Sequence, residues 1–327
     1  MKRLFYLVFF VLTGWLGAWA QGMMVWKDGI PTTIYLADAD SITFFTSDDE
    51  QLLVRERLLT IKETAVTGSQ TPSSLMRASL REEEGQLTAS WTEGDKLTYC
   101  NLSRTYDYAI YSGELTAVTT DAVSQFTGSV TCYTGDYLAV VYPATTFATN
   151  TSYTISLSGQ DGTLETLARD FHCVYGKALV KSVSEGTATA EMMKMKSLLT
   201  VCKFSFIDKV TSQPILVKSL NISYGGDGSD AGKYPQTATV SIRNISNIIE
   251  QADIHAAGVS GSTTPLSITC LAAVTNVYVA LLPTGGQRTF QFTVTDNNGN
   301  TYNGTAKATL TEGKYVTAAG LKLNKTN

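Results

Sequence analysis

The feature that most limits what this chain can fold into is a recurrent short run of alternating apolar and polar residues, each closed by a turn signal. Val201-Cys-Lys-Phe-Ser-Phe206 puts Cys202, Phe204 and Phe206 on one side, and Leu266, Ile268, Cys270 and Ala272 repeat the pattern. Successive side chains of an extended chain point to opposite faces, so a period of two marks a strand with one buried face. Candidate strands fall at 58–62, 86–92, 95–102, 106–112, 126–133, 136–142 and 152–158, then at 199–207, 215–224, 236–243, 265–272, 275–282, 289–295, 301–309 and 315–323. Glu93-Gly94, Thr134-Gly135 and Asp296-Asn-Asn-Gly-Asn300 supply turns between them. Strands this short at this spacing build a sandwich or barrel. Composition agrees. Roughly one residue in seven is Thr and there are 16 Tyr, types that suit pleated surfaces. Charged residues make up 17%, too few for the polar faces of many helices. The expected fold is all-β.

Two stretches are the least strand-like. Leu164, Leu167, Ala168 and Phe171 fit one face of a short helix, as do Met192, Met193, Met195, Leu198 and Leu199. Ile245–His255 is a third short helix candidate. The expected organisation is a hairpin and linker over residues 21–50, a first sandwich domain over 51–186 and a second over 187–327, with the boundary at Glu185-Gly186. In the opening hairpin, Lys27-Asp28-Gly29 is the turn signal and Ile34 and Leu36 alternate with polar neighbours.

Residues 1–20 have the pattern of a secretory signal. Lys2 and Arg3 precede the apolar run Leu4–Leu12, and Ala18-Trp19-Ala20 places small residues at the −3 and −1 positions before Gln21. The alternative is an uncleaved anchor, for which the run is short of the ~20 residues that span a bilayer. Cleavage between Ala20 and Gln21 changes the charge from 25 − 29 = −4 to 23 − 29 = −6. Export permits disulfides among the five Cys, but an odd number leaves one unpaired. Most of the five lie within apolar alternation, as a buried thiol does. Inert core thiols and a single disulfide both remain open. No Cys precedes Cys100, so lipid attachment to a Cys after the signal is not expected.

Few residues fit known chemistry. An acidic chain has no basic excess for phosphates, which argues against nucleic-acid binding. With His172 and His255 the only histidines, metal and acid–base sites have little to draw on. Gly258-Val-Ser-Gly261 lacks the spacing of a nucleophile elbow. The glycines of Gly225–Gly232 lead into Lys-Tyr-Pro and a strand, whereas a phosphate cradle leads into a helix. Asp296–Asn300 resembles a calcium loop, but the position six after Gly299 is Thr305 where a calcium loop has Glu. The expectation is no enzyme, no cofactor and no metal.

Several segments, in order, resemble the fimbrillin family, the Mfa-like pilin and adhesin proteins of Bacteroidales. Arg77-Ala-Ser-Leu80 and Trp91-Thr-Glu-Gly94-Asp95-Lys-Leu97 are similar to its Arg and Trp-x-x-Gly-Asp-x-aliphatic signature. Phe126-Thr-Gly128 and Tyr137–Pro143 are similar to its Phe-x-Gly and Tyr-Pro strands, followed by Tyr153–Leu157 with Gln160. Val277–Pro283, Phe290–Asp296 and Gly313-Lys-Tyr315 complete the match, which spans about residues 58–323. The segment from Trp26-Lys-Asp-Gly29 to Asp40-Ser-Ile-Thr-Phe44 is similar to a module that opens many exported Bacteroidales proteins. Within it, Asp40-Ser41-Ile42 is similar to the Bacteroidales O-glycosylation sequon, making Ser41 a candidate acceptor or else a plain strand-edge serine.

The resemblance implies two tandem transthyretin-like β-sandwiches, an exported cell-surface location and partnership with other pilin subunits, or with itself, by strand addition. The family frees its acceptor groove by cutting after an Arg near the mature N-terminus. Arg55 and Arg57, just ahead of the first strand of the sandwich, are the candidates here, and the same residues fit a plain charged linker. The missing lipid-accepting Cys and a chain that runs four residues past Leu323 point toward a non-shaft subunit or a secreted relative that does not polymerise. The competing reading is a secreted binding module for a host or dietary glycan or protein.

Overall fold

The computed structural model describes residues 22–27, 30–35, 56–63, 79–83, 85–103, 111–149, 152–184, 186–192, 195–242, 253–256 and 264–326. The chain forms two compact units, residues 1–52 and 53–327. In the first, β1 (Gly22–Lys27) and β2 (Ile30–Tyr35) form an antiparallel hairpin, with Gly22 opposite Tyr35 and Lys27 opposite Ile30.

The second unit holds the other strands. The first group is β3 (Glu56–Glu63), β4 (Ser79–Glu83), β5 (Gln86–Ser90), β6 (Lys96–Asn101), β7 (Ser112–Ala117), β8 (Gln125–Thr131) and β9 (Tyr137–Tyr142). Next come β10 (Phe147–Thr149), β11 (Ser152–Ser156), β12 (Val174–Ser184), β13 (Thr187–Met192) and β14 (Lys196–Ser197). After them come β15 (Thr200–Asp208), β16 (Val217–Tyr224), β17 (Thr237–Ser241) and β18 (Asp253–Ala256). The last group is β19 (Leu266–Val274), β20 (Val277–Leu281), β21 (Arg288–Asp296), β22 (Thr301–Ala308) and β23 (Tyr315–Thr326). The all-β expectation holds, and the strands form two sheet bodies.

The first body is a sandwich closed at both sides. One face is β13-β3-β8 and the other is β7-β6-β9-β12. At one side β7 meets β8 through Thr116 opposite Thr127 and Ala117 opposite Phe126. At the other side β12 leaves β9 after Leu179, bulges between Val180 and Ser182, and continues against β13. The pairing therefore runs in an unbroken circuit through seven strands. Inside it, Leu59, Phe126, Val130, Ala188, Ala190 and Met192 face Leu97, Tyr99, Leu138, Val140, Tyr142, Val174 and Val180. Trp91 is fully buried there, edge-on to Phe126 at 4.8 Å and to Tyr142 at 5.5 Å. Its Trp-x-x-Gly-Asp run is a turn: Gly94 N–H donates to the Ala117 carbonyl, Ala117 N–H to the Asp95 carbonyl, and Thr92 N–H to the Asp95 carboxylate. The resemblance to the fimbrillin signature thus sits on a fold-forming element.

The second body stacks β19-β16-β21-β22 on β23-β15-β20. The two sheets join only where Thr301, Tyr302 and Asn303 of β22 face Thr326, Lys325 and Asn324 of β23. The strands approach closely at Gly304, where a Cβ would lie 2.5 Å from Leu323 Cδ2 and 3.1 Å from the Lys322 carbonyl oxygen, so a side chain there has to displace the Leu323 side chain. Phe204 and Phe206 from β15 meet Phe292 from β21 at 5.2 and 5.8 Å across the core. A four-stranded sheet, β10-β11-β17-β18, draws two strands from each half of the sequence.

Three elements differ from expectation. Residues 187–192 are a strand: the Met and Leu density that suggests a helix hides the period of two in Ala188, Ala190 and Met192, all buried between exposed Thr187, Thr189 and Glu191. Asp253–Ala256 is also a strand, and 243–252 lie outside the described residues. Gly186, the expected boundary, turns the β12–β13 hairpin, and sheet membership changes after Ser197. The short helix is found, as Leu164–Thr166 continuing through Leu167–Phe171.

Trp91 is the largest fully buried side chain of the first core. Trp91→Ala is expected to cost about 3–5 kcal/mol, read as a lowered midpoint in chemical unfolding. A wild-type midpoint would contradict this burial.

Candidate functional site

A strand has two rows of backbone N–H and C=O groups. Any row that is neither paired nor capped is a docking edge. In a fold built almost wholly of strands, such edges are where a further strand can add.

In the first body β3 fills both of its rows. It runs antiparallel to β8 from Glu56 opposite Thr131 to Lys62 opposite Gln125, and parallel to β13 from Leu58 opposite Thr187 to Glu63 opposite Met192. Leu59 drives it into the core. It is the first strand of the circuit in chain order, and with it in place each described strand of the circuit has a neighbour on both sides. Arg57 lies within β3, opposite Val130. Arg55, Ser41, Ala20 and Gln21 lie outside the described residues.

The second body caps one edge with a side chain. On the outer side of β20, Gln160 Nε2 donates to the Ala280 carbonyl at 3.0 Å while its Oε1 accepts from Ala280 N–H at 2.7 Å. The amide copies the ladder of a neighbouring strand. Tyr278 N–H donates to the Gly162 carbonyl and Leu282 N–H to the Tyr234 hydroxyl, so the N–H groups of the row are satisfied without a strand. The far edge, β19, is distorted. Val217 faces Val274 but Ser219 faces Thr269, and residues 270–273 bulge out against Lys218, whose Nζ donates to the Cys270 and Leu271 carbonyls at 2.9 and 2.8 Å. Bulges of this kind blunt an edge.

The two bodies are joined through the outer face of β20-β15-β23. The β4–β5 hairpin, which belongs by sequence to the first half, lies against it. Lys203 Nζ contacts both Glu82 carboxylate oxygens, at 2.9 and 2.7 Å, and the Tyr278 hydroxyl donates to Glu82 at 2.6 Å. The bond from Lys203 holds the Glu82 carboxyl below its ordinary value, and the bond to Glu82 raises Lys203. Leu80 and Leu87 of the same hairpin, with Cys100, Ala139, Val141 and Tyr175 from the outward side of the first body, belong to one continuous buried cluster with the core residues of the second body. Lys196 of β14 also pairs with Glu312 in the turn before β23.

The Asp296 loop and the 225–232 loop serve the fold. Asp296 accepts from Asn298 and Asn300 N–H, from the Asn300 side chain and from the Tyr302 hydroxyl, so both carboxylate oxygens serve the β21–β22 turn. The glycines of 225–232 close a strand-to-strand loop, in which Gly232 N–H returns to the Tyr224 carbonyl. His172 is buried and His255 lies in β18 opposite Thr239. All five cysteines are buried and none is in a disulfide, so the disulfide alternative does not hold, and burial pushes up the thiols of Cys100, to about 11, and of Cys173, Cys202 and Cys270. Among the described residues no cluster of His, Cys, Asp or Glu has metal-binding geometry, and no helix is long and apolar enough to cross a membrane. Sequence reasoning missed Gln160 as an edge cap and Glu82, Lys203 and Tyr278 as a clasp. These partners are 120 or more positions apart, and no local pattern joins them.

No protein-family model and no curated protein sequence matches the chain. Solved structures do. One is a Bacteroides uniformis protein assigned to cell adhesion, with 17% identity over 72% of this chain and 91% of the other, and a TM-score of 0.48. Another is the tip fimbrial protein Mfa3 of Porphyromonas gingivalis, with 7% identity over 77% of this chain and 81% of the other, and a TM-score of 0.34. A third is the shaft pilin SpaA of Lactobacillus rhamnosus GG, with 10% identity over 84% of this chain and 99% of the other, and a TM-score of 0.34. These structures come from pilus and adhesion proteins. All three scores lie below 0.5, and the functional reading rests on this chain's own strands.

The Gln160 cap gives a direct test. Gln160 is 4% exposed, so Gln160→Ala leaves the Ala280 N–H and C=O buried and unpaired. The expected loss is about 1–3 kcal/mol. Thermal unfolding of the variant checks it, and an unchanged midpoint contradicts the cap.

Proposed function

We propose that this chain is an exported, structural or adhesive surface protein of fimbrillin type that joins other subunits by strand addition. The observation that carries the reading is β3: the first strand of the first body, in chain order, completes a circuit that is otherwise one strand short. A strand from another subunit that paired with β8 and β13 in its place would satisfy the same backbone groups and keep the same register. The ordered motifs from Arg77 to Tyr315 support the same reading. The intramolecular β3 competes at high effective concentration, so exchange needs a step that disfavours it.

Cutting at Arg55 or Arg57 is the candidate step. Arg55 precedes β3, and a cut there detaches residues 21–55 and leaves β3 with a free end. A cut after Arg57 falls inside the ladder and removes the pairings of Glu56 and Arg57 with β8. Either loosens the N-terminal end of β3 without deleting it.

The reading of a secreted, non-polymerising binding module for glycan or protein is favoured by one observation. With β3 in place the first body is closed and β20 is capped, the condition of a chain that stays monomeric.

Electron microscopy of surface material with an antibody to this chain separates the two readings. Labelled fibres support assembly; labelled surface without fibres supports the binding module. Replacing both Arg55 and Arg57 with Ala is expected to abolish fibres and leave Gln21 as the N-terminus. If the native surface form already begins at Gln21, or if the double variant assembles normally, processing at these residues is wrong.

A further inference from the structure

One gap among the described strands lies between β22 and β23. Beyond the three facing pairs at Thr301–Asn303, β22 and β23 diverge, and among the described residues no strand occupies the space between them. The direction of the free groups follows from the β15 ladder. Val201 N–H donates to the Lys314 carbonyl, with Val201 opposite Tyr315 and Lys203 opposite Thr317. In a parallel ladder each residue bonds to the neighbours of its opposite number. Lys314, Val316 and Ala318 therefore turn their backbone groups to β15, while Tyr315 and Thr317 turn theirs to the seam. Thr317 is exposed.

The seam is also basic on an acidic protein. From Thr301 to Thr326 the chain carries Lys307, Lys314, Lys322 and Lys325 against a single acid, Glu312. Glu312 is already paired with Lys196, and Asp208 lies near Lys325. Lys307, Lys314 and Lys322 are exposed, and none has an ion-pair partner among the described residues.

We propose that the seam between β22 and β23 is a docking edge for an extended, acidic segment of a separate partner protein, which adds as a strand along Tyr315–Thr317. Backbone bonds to Tyr315 and Thr317 supply the pairing, and Lys307, Lys314 and Lys322 select acidic flanks. The site is in the second body and is independent of β3, so it stands whether or not subunits exchange strands through the first body.

The test uses the full mature chain and a fluorescein-labelled peptide of alternating Thr and Val with two Asp at each end, followed by fluorescence anisotropy. Saturable binding that weakens as salt rises is expected, because exposed charge pairs are screened. The same peptide N-methylated at alternate residues, which removes the donors of one edge, is expected to lose binding. Lys307→Glu with Lys322→Glu is expected to weaken it about tenfold or more, since like charges are set against the acidic flanks; both residues are exposed, and circular dichroism checks that the fold is kept. Equal binding of the N-methylated peptide would reduce the effect to charge adsorption and overturn the proposal. Unchanged binding by the lysine variant would overturn it too, as would self-association of the chain that the lysine variant abolishes, which would make a second copy the occupant.

Discussion

The structure depends on the hydrogen-bonding demand of strand edges. A ladder satisfies both rows of backbone groups only when each strand has two neighbours, and a sheet that ends leaves one row exposed. This chain meets the demand in three ways. The first body closes its pairing into a circuit, with β3 between β8 and β13. The second body borrows a side-chain amide, Gln160, to stand in for a strand along β20, and folds four residues of β19 into a bulge pinned by Lys218. Where β22 and β23 part, the described strands leave the demand unmet.

Packing follows from the same geometry. Strands β6, β9 and β12 are apolar on both faces: Leu138, Val140 and Tyr142 turn into the first core, while Ala139 and Val141 turn toward the second. One sheet therefore serves two cores. The Glu82–Lys203–Tyr278 clasp holds the β4–β5 hairpin across that junction. With side chains only 17–20% exposed, the Glu82–Lys203 pair is screened less than a surface pair, and the Tyr278 hydroxyl orients the carboxylate.

The strands of the second half were legible because their alternation is strict. Cys202, Phe204 and Phe206 face the core as their spacing requires, and Asp296–Asn300 turns the hairpin that its composition suggests. The β7 strand is harder to see: Ser-Gly-Glu-Leu-Thr-Ala carries only Leu115 and Ala117 as buried apolar residues. Thr187–Met192 misleads in the other direction, since Met and Leu crowd its C-terminal end and blur two periods into one apolar cluster. Partnerships are invisible locally. Nothing in Thr237–Ser241 says that it pairs with Ser152–Ser156 and ties the halves together. Of the candidate site residues, Arg57 alone falls where the structure speaks, and the edge it helps to define comes from topology that no single segment encodes.

The functional account rests on β3 being both a structural necessity and a replaceable part. Its removal tests this most directly: a chain that begins at residue 64, with and without the synthetic peptide Glu56–Glu63. The account predicts that the shortened chain self-associates, and that the peptide restores a monomer with native Trp91 fluorescence. A shortened chain that is monomeric, natively folded and indifferent to the peptide would contradict it.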